Sequence, residues 1–203
     1  PDTWFATKYS DASRYGTKRD QYGQFERVLE TYPVPVIAAH MGGWPEDLAF
    51  LRGLLEKHEN LYLDTSATKW MVRELSRHPR EKLIEFLTEF SSRVLFGSDI
   101  VTVEEHVTPD SADDFDRTKQ ASSEEEAFEL YASRYWSLRT LWETGYEGES
   151  PIADPDLHMV DPDHHTEMDA PMLHGKSMPD EILRALYREA SEGVLGRWWR
   201  DHA

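Results

Sequence analysis

The sequence predicts an α/β protein built on a parallel β-sheet. Three short apolar runs, at residues 34–39, 61–64 and 94–97, have the length and composition of buried strands. Stretches with helical periodicity separate them, near residues 45–58 and 69–90. Repeated alternation of strand and helix requires parallel strands joined by right-handed crossovers. We therefore expect the carboxyl ends of the three strands to lie at one edge of the sheet.

Further helices are predicted on both sides of this region. Apolar residues at helical spacing indicate a helix that ends before Pro33. Ser122 and Glu125 have capping-box spacing and should begin a helix of about 20 residues, and a last helix should start near Ser177. Acidic residues without apolar periodicity predict a solvated loop after residue 100. Residues 145–177, rich in Gly, Pro, Asp and His, predict a long irregular segment.

Composition limits the classes of partner. The chain has 203 residues, of which 39% are hydrophobic, so it can bury the core of one large domain or of two small ones. We expect a single domain, residues 1–203. With 39 acidic and 22 basic residues, its formal charge of −17 repels nucleic acid and anionic lipid surfaces. The sequence has no apolar run of the roughly 20 residues that span a bilayer. Because cysteine is absent, any metal must be held by His, Asp or Glu, and we expect a cytoplasmic protein.

His40 is the first candidate for a functional residue. It falls where the strand at 34–39 ends and a loop with Gly42 and Gly43 begins. Catalytic residues of α/β proteins concentrate at this edge, and a neutral imidazole there can bind a metal or move a proton. A core histidine bonded to a backbone carbonyl explains the same string, and the local sequence leaves both interpretations open.

Carboxylates follow the other two predicted strands. Asp99 comes directly after the strand at 94–97 and could act as a hard metal ligand or general base, or could cap the chain. Asp64 closes the strand at 61–64 and could bind substrate, or could form an Asx-turn. In the next helix, Trp70 and Arg73 could give an aromatic wall and an anion-binding fork, although packing at the surface explains each of them alone.

Two further sets of residues are expected to be structural. The Asp- and His-rich stretch at 154–165 has no regular metal-loop spacing and predicts a polar loop. Arg134, Arg139 and Glu143 lie on the long aromatic helix; they could line a pocket, but surface ion pairs are the favoured interpretation. The sequence contains no Walker loop, nucleophile elbow or dinucleotide-binding fingerprint.

Three strings together resemble one known family. They are AAHMGG at residues 38–43, NLYLDTS at 60–66 and RVLFGSD at 93–99. They are similar to the last three barrel strands of the amidohydrolase-related proteins, in the branch that includes the aminocarboxymuconate-semialdehyde decarboxylase group. Residues 178–195 resemble that family's terminal helix, so residues 100–177 look like an insertion after the last strand.

The resemblance implies a partial TIM (β/α)8 barrel: about the last three strand–helix units and a helical carboxyl-terminal extension. It implies a divalent metal, with zinc the leading choice, at the mouth of the barrel. Asp99 matches a metal-binding aspartate. His40 matches an acid/base histidine or second metal ligand. Asp64, Trp70 and Arg73 are candidate substrate-binding residues because of their positions alone.

The family's remaining ligands have no match in this sequence. An H-x-H pair on the first strand and a histidine on the fifth are absent from matching positions, and a complete barrel needs ~250 residues. We therefore expect Pro1 to begin the later part of a longer enzyme. The leading hypothesis is a metal-dependent hydrolase that uses metal-activated water on a small-molecule substrate. The alternatives are a nonoxidative decarboxylase on the same fold and a catalytically incomplete fragment. A partial sheet with a free edge is also compatible with a homo-oligomer.

Overall fold

A parallel sheet of three strands, in the order β1-β2-β3, forms the centre of the amino-terminal half. The computed structural model describes residues 2–100, 102, 104, 121 and 123–202. The strands are β1 (Val36–Ala38), β2 (Leu61–Asp64) and β3 (Val94–Leu95). Val36 pairs with Leu61, and Leu63 pairs with Val94. The prediction of three parallel strands is confirmed.

Helices precede and connect the strands. In the first hundred residues they are α1 (Asp2–Lys8), α2 (Ala12–Tyr15), α3 (Lys18–Thr31), α4 (Ala39–Gly42), α5 (Leu48–Lys57), α6 (Thr68–Arg77) and α7 (Arg80–Glu89). The predicted helical stretch at 69–90 is therefore two helices. The break comes at His78, which is extended, with φ −72° and ψ 141°. The following Pro79 explains this, because a residue before proline is disfavoured in the helical region.

The hydrophobic core lies between the sheet and the connecting helices. Leu61 and Leu63 of β2 are completely buried, as are Leu51 and Leu55 of α5. Alternation along β2 points these leucines to one face and leaves Tyr62 and Asp64 on the other. Leu83, Phe86 and Leu87 of α7 join the same core. The periodicity seen in the sequence thus places the apolar faces of α5 and α7 in this core.

Two side chains join the segments at the amino ends of the strands. The Arg93 guanidinium donates hydrogen bonds of 2.6–2.9 Å to three backbone carbonyls, those of Leu55, His58 and Leu61. The Asn60 amide donates to three more, those of Leu29, Tyr32 and Val34. These contacts connect the end of α3, the end of α5 and the start of β2.

The carboxyl-terminal part adds helices and a small antiparallel sheet. Its elements are α8 (Glu124–Glu143), β4 (Glu147–Glu149), α9 (Pro155–Val160), β5 (Met172–His174), α10 (Asp180–Arg184), two π-helical turns (Ala185–Glu189 and Glu192–Gly196) and α11 (Arg197–His202). The segment at 145–177 is irregular over most of its length, as predicted, but it also contains β4, α9 and β5, which the sequence did not indicate. Strands of three residues are too short to show alternation, and β4 and β5 meet across a long sequence separation.

The long helix α8 begins close to its predicted position. Ser123 is the N-cap, and its hydroxyl accepts a hydrogen bond from the backbone N–H of Glu126 over 3.2 Å. Ser122 lies outside the described residues, as does nearly all of the predicted loop after residue 100.

The described residues contain an open three-stranded sheet and no closed barrel. At the end of β3, the backbone N–H of Phe96 donates to the Leu186 carbonyl over 2.9 Å, so the carboxyl-terminal helical segment lies beside this strand. In the part of the chain described here, no helix is both long and apolar enough to cross a membrane. The fold is thus confirmed as α/β with a parallel sheet.

Candidate active site

Backbone strain is concentrated at the carboxyl ends of the three parallel strands. The left-handed region is occupied by His40 (φ 59°) and Met41 (φ 50°) after β1, by Ala67 (φ 66°) after β2 and by Asp99 (φ 50°) after β3. Among the described residues other than glycine, only Ser177 shares this conformation elsewhere. Such conformations cost about 1–2 kcal/mol per residue and cluster at functional sites. The strain therefore marks the edge where the sequence places its candidate residues.

His40, Ser66 and Asp64 are joined by hydrogen bonds at this edge. The Nδ1 atom of His40 lies 2.7 Å from the Ser66 hydroxyl, which in turn bonds to Oδ1 of Asp64. The same Oδ1 accepts the backbone N–H groups of His40, at 2.9 Å, and of Ser66, at 3.0 Å. The bond to the Ser66 N–H is the expected Asx-turn, so Asp64 both shapes its own loop and holds the loop after β1. The half-buried His40 side chain contacts a hydroxyl, whereas a core histidine was expected to contact a carbonyl.

Gly97 allows the end of β3 to approach this network. A Cβ atom at Gly97 would lie 3.0 Å from the Ser66 Cβ and 3.2 Å from the Ser66 backbone nitrogen. Its N–H also donates to the Thr65 hydroxyl over 3.3 Å. A side chain at this position would push Ser66 away from His40.

Trp70 lies beside His40, with 6.2 Å between the ring centroids. Its Nε1 atom is buried and has no hydrogen-bond partner among the described residues. Trp70 also lines a cavity of about 610 Å³ next to the end of β1, whose other aromatic walls are Phe5, Tyr9, Tyr22 and Phe25. The cavity therefore offers an aromatic surface beside the loop that carries His40, although the imidazole is not among the groups that line it.

Arg73 is buried in an ion cluster. Its side chain is only 5% exposed and pairs with Glu74, at 2.7 Å, and with Asp154, and it lies 3.8 Å from Asp156. The expectation of surface packing is wrong for this residue. Burial acts to lower the pKa of Arg73, but the charges of Asp154 and Glu74 outweigh it and raise the pKa. For Asp154, burial raises the pKa and the charge of Arg73 opposes the change.

Asp99 and two cationic side chains form the other part of the edge. Asp99 is exposed, and its charge acts on Arg134 of α8. Burial lowers the pKa of the Arg134 guanidinium, and the Asp99 carboxylate partly offsets this. Burial likewise lowers the pKa of Lys69, at the start of α6, and the neighbouring charge of Arg134 lowers it further. Arg134 was expected at the surface but is 8% exposed.

The remaining residues predicted to be structural either lie at the surface, as expected, or belong to local structure that was not predicted. Arg139 and Glu143 form an exposed ion pair at 2.8 Å. In the acidic stretch, Asp154 is the N-cap of α9, and its side chain accepts the Asp156 N–H. His164 and His165 pair with Asp161 and Asp169. This stretch is thus a helix with a hydrogen-bonded turn instead of the predicted polar loop.

A metal at the carboxyl edge would find suitable ligand types but too few of them. His40 offers Nε2 and Asp99 offers a carboxylate, whereas catalytic zinc sites use three protein ligands. Within the described part of the chain, the one group of three His or acidic ligands close enough to share an ion is Glu26, Glu30 and His58.

That group lies at the opposite end of the sheet. His58 follows α5 and precedes β2, and both glutamates are on α3. The Lys57 ammonium already bonds to Glu26 and lies 3.4 Å from Glu30. The cluster therefore carries its own cation, and it lies apart from the strained edge.

Sequence reasoning missed Ser66, Gly97 and Lys69. Ser66 and Gly97 stand inside the strings that resemble the amidohydrolase-related proteins, so their proximity to the strand ends was a usable signal. Lys69 had none, because its relation to Arg134 depends on how α6 and α8 pack.

A histidine and a carboxylate held together at the carboxyl ends of parallel strands are an arrangement common at the active sites of α/β enzymes. The sequence model of the family described as Amidohydrolase (Amidohydro_2) matches residues 13–133. This range is more than half of the chain and includes all three parallel strands, so the chain belongs to that amidohydrolase family. Neither a curated protein nor a solved structure matches the chain.

Proposed function

We propose that this chain contributes part of the active site of a metal-dependent hydrolase that cleaves a C–N or C–O bond in a small organic substrate. Asp99 is a metal ligand, and His40 acts through Nε2 as the acid/base group; in the alternative arrangement Nε2 is instead a second metal ligand. The observation that carries the proposal is the hydrogen-bonded set of Asp64, Ser66 and His40 at the strained edge. Membership of the amidohydrolase family supports the same reaction class.

The residues of this chain have distinct tasks in the proposal. His40 moves a proton at Nε2, because its Nδ1 is engaged by Ser66. Trp70 gives the substrate an apolar wall beside the imidazole. Arg73 acts through Asp154, which links α6 to α9 and so fixes the start of the helix that carries Trp70.

The bound metal would activate water and polarise the reacting bond. Two donors from the described residues leave the ligand set short, and the sequence has no H-x-H pair to complete it. We propose that the remaining ligands come from protein segments outside these 203 residues, which would pair with the open side of β1.

The test is metal analysis and turnover of the intact protein. Activity should be measured on a panel of small amides, lactones and esters, with near-stoichiometric zinc or another divalent ion expected. His40→Ala and Asp99→Ala should abolish turnover. His58→Ala is the matched control, because it removes an imidazole from the cluster at the other end of the sheet and should leave both metal content and turnover unchanged. Full activity in metal-free protein would overturn the proposal.

A second candidate, nonoxidative decarboxylation, is favoured by the charges near Asp99. Burial lowers the pKa of Lys69, and the nearby charge of Arg134 lowers it further, although Asp154 and Asp156 oppose the change. Two neighbouring cationic side chains suit a substrate that carries a carboxylate. Release of carbon dioxide from a panel of aromatic and enoic acids would support this reaction. Hydrolysis without carbon dioxide release would exclude it.

A further inference from the structure

We propose that Ser66 and Asp64 are positioning residues that hold His40 in the tautomer with hydrogen on Nδ1, which leaves the Nε2 lone pair free. The tautomer follows from hydrogen bonding alone. Only the chemistry assigned to Nε2 rests on the proposed function.

The chain of hydrogen bonds has a direction because Asp64 can only accept. Its Oδ1 receives two backbone N–H groups, from His40 at 2.9 Å and from Ser66 at 3.0 Å. A backbone N–H can only donate, so Oδ1 of Asp64 is the acceptor in both bonds, and the Ser66 hydroxyl meets this same oxygen. The single hydroxyl proton of Ser66 is therefore directed to Asp64.

The Ser66 oxygen must then accept from the imidazole. It lies 2.7 Å from His40 Nδ1, and its own proton is already used. A neutral imidazole carries one N–H, so hydrogen on Nδ1 leaves Nε2 as the basic nitrogen. The sequence string LDTS thus fixes the protonation pattern of a histidine 26 residues earlier in the chain.

The same two residues also fix the orientation of the ring. Asp64 binds the backbone N–H of His40 while Ser66 binds the side chain, so both parts of His40 are held by one loop. Trp70 lies next to the ring, and Gly97 lets Ser66 keep its position. Residues that orient a metal-binding or catalytic histidine typically change affinity or activity by ~10–100-fold when replaced.

The test is the tautomer of His40 observed by nuclear magnetic resonance. Protein labelled with ¹⁵N-histidine is kept metal-free with EDTA at about pH 8.5, where free imidazole is neutral. Couplings between ring nitrogens and ring C–H protons identify which nitrogen carries hydrogen, and His40→Gln assigns the signals. We expect the Nδ1–H form in the wild type, its loss in Ser66→Ala and its recovery in Ser66→Thr, which restores a hydroxyl. Ser98→Ala, a hydroxyl deletion at the same edge, is the matched control and should leave the tautomer unchanged.

The outcomes separate this inference from the proposed function. An Nε2–H form in the wild type, or an Nδ1–H form that persists in folded Ser66→Ala, overturns the inference even if the enzyme hydrolyses its substrate. The expected tautomers in a protein that binds no metal and has no hydrolytic activity would leave the inference standing and remove the proposed function. Circular dichroism of each variant shows whether it folds. If Ser66→Ala does not fold, Ser66→Thr decides the question: an Nδ1–H form in that variant supports the inference, and loss of this form overturns it.

Discussion

The backbone N–H of His40 donates to the Asp64 carboxylate over 2.9 Å, across 24 residues of sequence. This bond ties the strained loop after β1 to the end of β2. Asp64 accepts two further hydrogen bonds from Ser66 through the same oxygen. One carboxylate thus holds two loops at the candidate active site.

Replacing Asp64 should cost both stability and activity. Asp64→Ala leaves two backbone N–H groups and the Ser66 hydroxyl without their acceptor, and we expect a loss of about 2–3 kcal/mol in the free energy of unfolding. Urea denaturation measures this change. Asp163→Ala, at an exposed position, is the control and should stay within about 0.5 kcal/mol of wild type. Equal effects of the two substitutions would contradict the role given to Asp64.

Gly97→Ala should disturb Ser66 through steric contact. The added Cβ would lie 3.0 Å from the Ser66 Cβ, and we expect a loss of about 1–3 kcal/mol. Gly53→Ala is the comparison, because no atom lies within 4 Å of the added methyl group and the position is inside α5. That change should stabilise the protein by about 0.5–1 kcal/mol. Thermal unfolding of the two variants should therefore shift in opposite directions.

Removing the Arg73 guanidinium should take the neutralising charge away from buried carboxylates. Arg73→Met leaves the buried Asp154 carboxylate without its cation and takes one of two cations from the buried Glu74, which keeps Arg77 at 2.9 Å, and we expect a loss of about 3–5 kcal/mol. The double variant Arg73→Met/Asp154→Leu should recover part of this loss, because the stranded carboxylate is gone. Arg184→Met, which breaks the exposed pair with Glu189, should cost less than about 1 kcal/mol. Chemical denaturation measures these changes. If the losses caused by Arg73→Met and Asp154→Leu simply add in the double variant, the role given to the buried ion pair is contradicted.

The Glu26 cluster should make stability depend on acid pH. The hydrogen bond from Lys57 lowers the pKa of Glu26 below its ordinary value of 4.5, although burial opposes this. The carboxylate therefore contributes stability above about pH 4.5, and the contribution is lost as pH falls through the lower folded-state pKa. We expect Glu26→Gln to be less stable than wild type at pH 7 and the difference to shrink in acid. Denaturation at several pH values measures it, and a difference that stayed constant would contradict the prediction. Glu56→Gln, at an exposed position on α5, is the control and should show little change at any pH.

Local patterns in the sequence predicted the sheet well, because the apolar run that marks each strand can be read from a few neighbouring residues. The strand at 61–64 has the bounds expected from its apolar run, and Leu51, Leu54 and Leu55 occupy the buried face that their spacing indicated. The same reasoning identified His40 and Asp64 as residues at strand ends, and the structure brings those two together. Parallel strands explain this success, since all their carboxyl ends must share an edge.

Contacts between distant segments could not be predicted in this way. The burial of Arg73 depends on Asp154, 81 residues later, and β4 and β5 pair across more than 20 residues. Neither contact leaves a periodic pattern in the sequence, because each depends on how α6, α8 and the carboxyl-terminal part pack together. The role of Ser66 was missed for a related reason: a serine after a strand is ordinary until its distance to His40 is known.

The carbonyl bonds of Arg93 and Asn60 have a consequence for how this protein can change during evolution. The two side chains anchor the backbone at the amino ends of the strands, and the carbonyls that accept their hydrogen bonds are present whatever side chains surround them. The loops at the opposite edge can therefore accumulate substitutions that alter specificity while the framework keeps its register. We expect a mutational library of the intact protein to tolerate more variation at residues 98 and 100 than at Arg93 or Asn60, where loss of one side chain releases several carbonyls at once.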